Sequence, residues 1–329
     1  PRLSNKRIKT FSISDGSYLF KFISLKNNKV TGISLQDFLL LPKKGLNIPY
    51  SIYDDKFQSN VYKKFIKKIS DIKYDCIGLS FVQNSKIIKN LKKQNQSKIF
   101  ISKIENYLGY INRKEIINQS DAIMIDRGDL AAEIGNEKLT EFSTNIINDC
   151  KKIGRPIIIA TENLNSLISN LTPSKSDILN LDYYISKKVD YIMLSDETAT
   201  SKNWKNTLRW LKNYLNFNVK KRVTNKLSEI SEILNNLKDH VLVVFSKKGF
   251  FYKKILSNDY TNLILFTENN ILSKVANLKD NVDAFSVKFP KKNLDKFLKK
   301  NIERHKKLIF KNNDKELIIS VTFPRKNSR

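Results

Sequence analysis

Lys103 and Glu105 stand two residues apart in the run KIFISKIEN, residues 98–106. In an extended strand that spacing puts both side chains on one face. Gly128 and Asp129 close the next apolar run, DAIMIDRGD, and Thr161 lies in the one after, PIIIATENL. The carboxylates of Glu105 and Asp129 are hard oxygen donors, the kind Mg²⁺ takes while keeping positions open for water and phosphate. A lysine beside such an ion suits a transferring phosphoryl group, whose charge spreads over its equatorial oxygens. Backbone N–H groups at Gly128 and Asp129, where a strand turns into a helix, would hold a carboxylate or phosphate. Thr161 adds a hydroxyl. The same residues equally permit a structural salt bridge of Lys103 with Asp129 or Glu105, and residue types alone leave both readings open.

A parallel sheet is what would bring these residues together. Five segments are near-continuous apolar runs: YDCIGLSFVQ, KIFISKIEN, DAIMIDRGD, PIIIATENL and DYIMLSDETA. Such runs predict strands covered on both faces. Each ends in polar residues: Ser80; Lys103 and Glu105; Arg127 and Asp129; Thr161 and Glu162; Ser195 and Glu197. Helical patterns fall between them, in SKIIKNLKKQ, LTEFSTNIINDCKKIG and SDILNLDYYISKKV. Alternating strands and helices give an α/β fold, with chemistry at the carboxyl ends of the strands. The preceding stretch, ISDGSYLFKFISLKNNKVTGISLQDF, alternates polar and apolar residues and carries turn signals at DG and NN. It predicts a small antiparallel sheet. After about Phe217 the pattern restarts. LSEISEILNNL is helical, and HVLVVFS, NLILFT, VDAFSV and ELIISVTF are strands of a second α/β unit.

Composition narrows the function classes. The chain has 329 residues, a net charge of +28 and 40% hydrophobic residues, enough for two domains with ordinary cores. Its lysines are spread along the whole length, which argues against a localised phosphate-binding stripe and against a nucleic-acid partner. The densest basic segment, KKNLDKFLKKNIERHKK, spaces Leu294, Phe297, Leu298 and Ile302 as one helix face with solvated lysines opposite. Two cysteines, Cys76 and Cys150, exclude a disulfide framework and point to a reduced, cytoplasmic protein. His240 and His305, the two histidines, have no partner pattern and are assigned structural or surface roles. No apolar run is long enough to cross a bilayer. The proline start suggests that the natural beginning lies upstream.

In this setting the sequence resembles the pyruvate kinase family. SKIEN with the following IDRGDLAAEIG is similar to the family's SKIEN strand and ARGDLGVEI signature. IIIATENLNSLISNLTPSKSD resembles its ATQMLESM and PRPTRAE segment, and DYIMLSDETA its IMLSGETA strand. KKGLNIP resembles the KKGVNLPG that closes its mobile lid. The resemblance implies a (β/α)₈ TIM barrel, a β-rich lid and a C-terminal α/β domain. It divides the chain into a partial lid at 1–52, barrel strands four to eight at 53–217 and the C-terminal domain at 218–329. The implied reaction passes phosphate between phosphoenolpyruvate and ADP, with Mg²⁺ and usually K⁺, in a cytoplasmic glycolytic homotetramer. By matched position, Lys103 would stabilise the transferring phosphoryl group, and Glu105 and Asp129 would bind Mg²⁺. Gly128 and Asp129 would cradle the substrate carboxylate, Thr161 would bind substrate, and Lys44 would meet the nucleotide phosphates.

Departures accompany the likeness. The family's first three barrel strands, with its substrate-binding arginine, its K⁺ ligands and a nucleotide-binding arginine, have no match here. The chain is therefore expected to be a fragment or a decayed copy. Asp126 stands where the family has alanine, and such an anion would weaken binding of an anionic substrate by about 1–4 kcal/mol at close range. Glu162 replaces glutamine. Asp196 replaces glycine, at a position expected to need that residue's backbone freedom. The alternative reading is a catalytically weakened or inactive relative serving as a binding or regulatory subunit.

Overall fold

Period-two burial in the strands and helical stripes between them organise the molecule. The computed structural model describes residues 2–3, 9–14, 16–27, 29–40, 42, 44–219, 241–247, 263–279, 282–290, 293–305 and 317–322. The chain divides into two compact units, one of residues 1–151 and 155–209, the other of residues 152–154 and 210–329.

The first unit holds two main sheets and a short strand pair. β1 (Arg2–Leu3) pairs with β6 (Ser51–Ile52). β2 (Thr10–Ile13), β3 (Tyr18–Lys26), β4 (Lys29–Ser34) and β5 (Leu46–Asn47) form an antiparallel sheet of order β4-β3-β2-β5. Gly16 and Asn27, at its two hairpin turns, take φ of +87° and +48°. These are the positions the turn signals predicted. Phe11 stacks on Phe20 at 4.9 Å and Tyr18 on Phe38 at 4.2 Å, tying the sheet to the loop that follows.

The second sheet is parallel, in the order β11-β10-β9-β8-β7. Its strands are β7 (Cys76–Leu79), β8 (Ile99–Ile104), β9 (Ala122–Asp126), β10 (Ile157–Ala160) and β11 (Tyr191–Ile192). Helices connect them, among them α1 (Asp55–Lys68), α2 (Ser85–Gln94), α3 (Tyr107–Ile111) and α4 (Arg113–Gln119). α5 (Arg127–Ile134), α6 (Asn136–Lys152) and α7 (Lys175–Ser186) continue the series, followed by α8 (Asp196–Thr200) and α9 (Trp204–Val219). Asn84 caps α2 by accepting from the amides of Lys86 and Ile87, and Ser174 caps α7. α6 closes through Gly154 at φ +64°, as the closing glycine of CKKIG predicted.

One face of this sheet carries Ile77, Leu79, Phe100, Ile104, Ile123, Ile125, Ile157 and Ile159, all buried beneath the helices. The other face differs from expectation. Cys76 and Gly78 are exposed, and Ile101, Lys103, Met124 and Ile158 are half-buried. Ile99, Ala122 and Ala160 on the same face are buried. The strands were expected to be covered on both sides; among the described residues this face is covered in part.

In the second unit, β12 (Val241–Ser246), β13 (Leu263–Thr267), β14 (Val282–Ser286) and β15 (Leu317–Thr322) form a parallel sheet of order β14-β13-β12-β15. Here the central strands are covered twice. Leu242, Val244, Leu263 and Leu265 pack with Ala276 of α10 (Asn270–Ala276). Val243, Phe245, Ile264 and Phe266 pack with Phe297, Leu298 and Ile302 of α11 (Leu294–Arg304). Lys296, Lys299 and Lys300 of α11 are exposed, so the basic run is a solvated helix face where it is described. His305 packs on Phe285 at 4.1 Å, a structural role. His240 and the predicted helix at 227–237 lie outside the described residues.

Candidate active site

The carboxyl ends of β8, β9 and β10 carry the site. Lys103 and Glu105 leave β8 and its end on one side, as their spacing required. Lys103 Nζ pairs with Glu105 Oε1 and lies 3.0 Å from Asp126 Oδ2. It also donates to Ser80 Oγ, at the end of β7, over 3.5 Å. The ion pair that residue types left open is therefore present, and Asp126 joins it.

Glu105 is fully buried, and its Oε2 accepts the amide N–H of Phe81. Asp126 is the last residue of β9 and Asp129 lies in the first turn of α5. One carboxylate oxygen from each of Glu105, Asp126 and Asp129 falls within 4.8 Å of the others. Burial pushes the Glu105 carboxyl up to about 7, against the pull of Lys103 and the Phe81 N–H. Burial also works against the Lys103 charge, but the combined attraction of Glu105 and Asp126 outweighs it and holds Lys103 above the ordinary lysine range.

β10 contributes through a strained turn. Thr161 and Glu162 take φ of +61° and +50°. A left-handed β-branched residue costs on the order of 1–3 kcal/mol, and such strain gathers at functional positions. The Thr161 hydroxyl accepts the amides of Arg127 at 3.1 Å and Gly128 at 3.0 Å. Thr161 therefore caps α5 from a neighbouring strand, and the Gly128 N–H expected to face an anion is held by that hydroxyl.

Several residues outside the sequence-based candidates hold the site in place. Arg127 is 2% exposed and donates to the carbonyls of Ala160 and Thr161 and to the side chains of Asn180 and Asn163. Asn47 donates to Asp129 Oδ1 at 2.7 Å, and Glu133 accepts from Tyr50 N at 3.1 Å and Ser51 Oγ at 3.3 Å. These bonds fasten the segment after KKG to α5. Their partners lie about eighty residues apart, beyond any local pattern, although Asn47 and Glu133 fall within the motifs KKGLNIP and RGDLAAEIG.

Lys44 is exposed, and its charge is felt by Asp196. Asp196 is held below its usual range by its hydrogen bond with Glu197 first, with Lys44 assisting. The expectation that Asp196 fills a glycine-requiring position is corrected. It is the first residue of α8, capped by Ser195, with helical backbone that any residue adopts.

The sequence model described as "Pyruvate kinase, barrel domain" matches residues 6–207. The chain belongs to the pyruvate kinase family. It is 33% identical over 200 residues to the pyruvate kinase of Mycoplasma pneumoniae, a match spanning 57% of this chain and 38% of that protein. With the pyruvate kinase of Thermococcus litoralis it shares 31% identity over 206 residues, 61% of this chain and 43% of the relative. The chain thus matches less than half the length of these relatives. A crystal structure of a pyruvate kinase from Cryptosporidium parvum superposes with a TM-score of 0.71 at 20% identity, over 95% of this chain and 70% of that one, and shows a shared fold.

Proposed function

We propose that the protein, in its complete form, is a pyruvate kinase that moves a phosphoryl group between phosphoenolpyruvate and ADP. The observation that carries this reading is the meeting of Lys103, Glu105 and Asp129 at one sheet mouth, with Glu105 and Asp129 oxygens within 4.8 Å. The donor set fits Mg²⁺: hard carboxylate oxygens, one of them, Glu105 Oε1, fully buried against the Lys103 ammonium. Glu105 and Asp129 would hold that ion. When bound, Mg²⁺ neutralises charge on the phosphoryl oxygens. Lys103 stabilises the same charge from the protein side. Thr161 keeps α5 oriented, with Gly128 and Asp129 beside the substrate carboxylate, and Lys44 approaches the nucleotide phosphates. The family's K⁺ ligands fall in the strands unmatched here.

The same reading assigns residues 1–52 to a partial lid, 53–217 to strands four to eight of a (β/α)₈ barrel and 218–329 to a C-terminal domain. The half-exposed sheet face supports it, because further barrel strands would cover Ile101, Met124 and Ile158. No described helix is long and apolar enough to cross a membrane. A cytoplasmic homotetramer is part of the proposal. One observation favours a second reading, a relative with weakened turnover: Asp126 occupies Lys103, the charge the phosphoryl group needs.

Pyruvate formation coupled to lactate dehydrogenase, on the full-length gene product, separates the two readings. Wild type is expected to turn over with Mg²⁺, and Lys103→Ala to lose about 10²–10³-fold in kcat. Absence of any Mg²⁺-dependent turnover that Lys103 controls would reject the enzyme reading.

A further inference from the structure

Asp126 sits at the N-cap of α5, where an aspartate ordinarily accepts amide N–H groups of its own helix. It makes no such bond. The Thr161 hydroxyl has taken the amides of Arg127 and Gly128, which frees the Asp126 carboxylate for other partners. Its Oδ2 lies 3.0 Å from Lys103 Nζ, and its Oδ1 is 3.2 Å from Thr161 Oγ1. One carboxylate oxygen from each of Glu105, Asp126 and Asp129 then lies within 4.8 Å of the others, and the first two residues share the Lys103 ammonium. Glu105 is 0% and Asp126 6% exposed. Two buried carboxylates therefore share one ammonium, an arrangement that a divalent cation among the same oxygens would relieve.

We infer that Asp126 is a third carboxylate ligand for the divalent cation of this site, and that without the cation the same carboxylate holds Lys103. The inference rests on the reading of Glu105 and Asp129 as a divalent-ion pair, and it goes beyond that pair. Oxygen donors compete for cations. Glu105 Oε1 and Asp126 Oδ2 both face Lys103, so an ion shared by them weakens the hold on the ammonium. Cation occupancy and a free Lys103 are therefore coupled, each favouring the other. The protein thereby converts a position where a small residue would leave Lys103 available at all times into one where the ion decides its availability.

Mn²⁺ serves as the probe, its binding followed by electron paramagnetic resonance on the full chain, with no substrate present. Wild type, Glu105→Gln, Asp126→Ala and the shape-conserving Asp126→Asn are compared, with thermal melting as the check on folding. Asp126→Ala and Asp126→Asn are each expected to weaken Mn²⁺ binding on the order of tenfold, as loss of one charged ligand does. Glu105→Gln is expected to weaken it at least as much. Lysine modification by trinitrobenzenesulfonate supplies a second readout. Mn²⁺ should raise Lys103 reactivity in wild type, and in Asp126→Ala that reactivity should be high before Mn²⁺ is added. If Asp126→Asn binds Mn²⁺ as tightly as wild type while Glu105→Gln loses it, Asp126 is a lysine counter-ion alone. In that case this inference falls and the Glu105–Asp129 pair stands. If wild type itself binds no Mn²⁺ at millimolar concentration, the underlying pair falls as well.

Discussion

The two parallel sheets use the same strand grammar and bury different chemistry. β8 to β10 and β12 to β14 are all short apolar runs followed by polar residues. In the first unit the buried polar groups include Glu105, Asp121, Asp126, Arg127 and Glu133. In the second, among the described residues, they are Ser246, Thr267, Ser273 and Asn301, none of them charged. A hydroxyl or amide is buried cheaply once hydrogen-bonded, whereas a buried charge carries a desolvation penalty of several kcal/mol. A sheet that only has to stand up has no reason to bear that penalty. Asp121 answers Lys92 at the amino end of β9; the gathering of Glu105, Asp126 and Arg127 at the carboxyl ends of β8 and β9, with no counterpart among the described residues of the second unit, marks where chemistry is expected.

The largest test of this contrast is Arg127→Ala. The guanidinium is 2% exposed, holds two backbone carbonyls and two asparagines, and lies 4.9 Å from the Tyr184 ring centroid. Its removal takes a donor from each of these acceptors, among them the buried Asn163 side chain, and empties a buried site, an expected loss of about 3–5 kcal/mol. Hydrogen exchange should show lowered protection in β8 to β10 with β12 to β14 unchanged. Arg127→Lys should rescue little, because one ammonium cannot replace a planar fork. Unchanged protection in the first unit would erase the distinction between the sheets.

Much of this contrast is legible in the sequence. Near-continuous apolar runs placed β7 to β10 and β12 to β15 correctly, because strand type follows from local pattern. The convergence of Lys103 with Glu105 followed from their two-residue spacing. What lay beyond reach was non-local. Asn47 on Asp129 and Tyr50 on Glu133 depend on how one loop lands on a helix far along the chain. Asp126 was visible as an unexpected anion, but its partner was not, since that depended on Thr161 taking over the helix cap. β11 proved only two residues long, although DYIMLSDETA reads as a full strand. It has β10 on one side and no pairing strand on the other among the described residues.

Glu133 supplies a smaller, pH-dependent test of the same contrast. Burial pushes its carboxyl up to about 7 from an ordinary 4.5, opposed by the amides of Tyr107 and Tyr50 and the Ser51 hydroxyl. Between those pH values the folded form keeps a proton that the unfolded chain has released. The contribution of this group is therefore fully present below about pH 4.5, falls as pH rises, and is lost above about pH 7. The total is about 3 kcal/mol. Glu105 slopes in the same direction, so the measurement is the difference in urea denaturation between wild type and Glu133→Gln, which cancels it. The variant should lose part of the slope, and parallel curves would remove the charge burden assigned to Glu133.

The smallest expected effect belongs to the second unit. Lys247 Nζ lies 3.3 Å from Glu268 Oε2, at the ends of neighbouring strands β12 and β13. Position in the sheet alone makes this pair the counterpart of Lys103 with Asp126, which meet at 3.0 Å. Exposure separates them: the Lys247 and Glu268 side chains are 40% and 29% exposed, against 20% and 8% for Lys103 and Asp126. Water and salt screen the outer pair, so a double-mutant cycle on Lys247→Ala and Glu268→Ala should return a coupling below about 1 kcal/mol that shrinks further in salt. The same cycle on Lys103→Ala and Asp126→Ala should return a larger, salt-resistant coupling. Equal couplings would mean that strand-end geometry, rather than burial, sets the strength of these pairs. The charged sheet mouth would then have no energetic claim to be special.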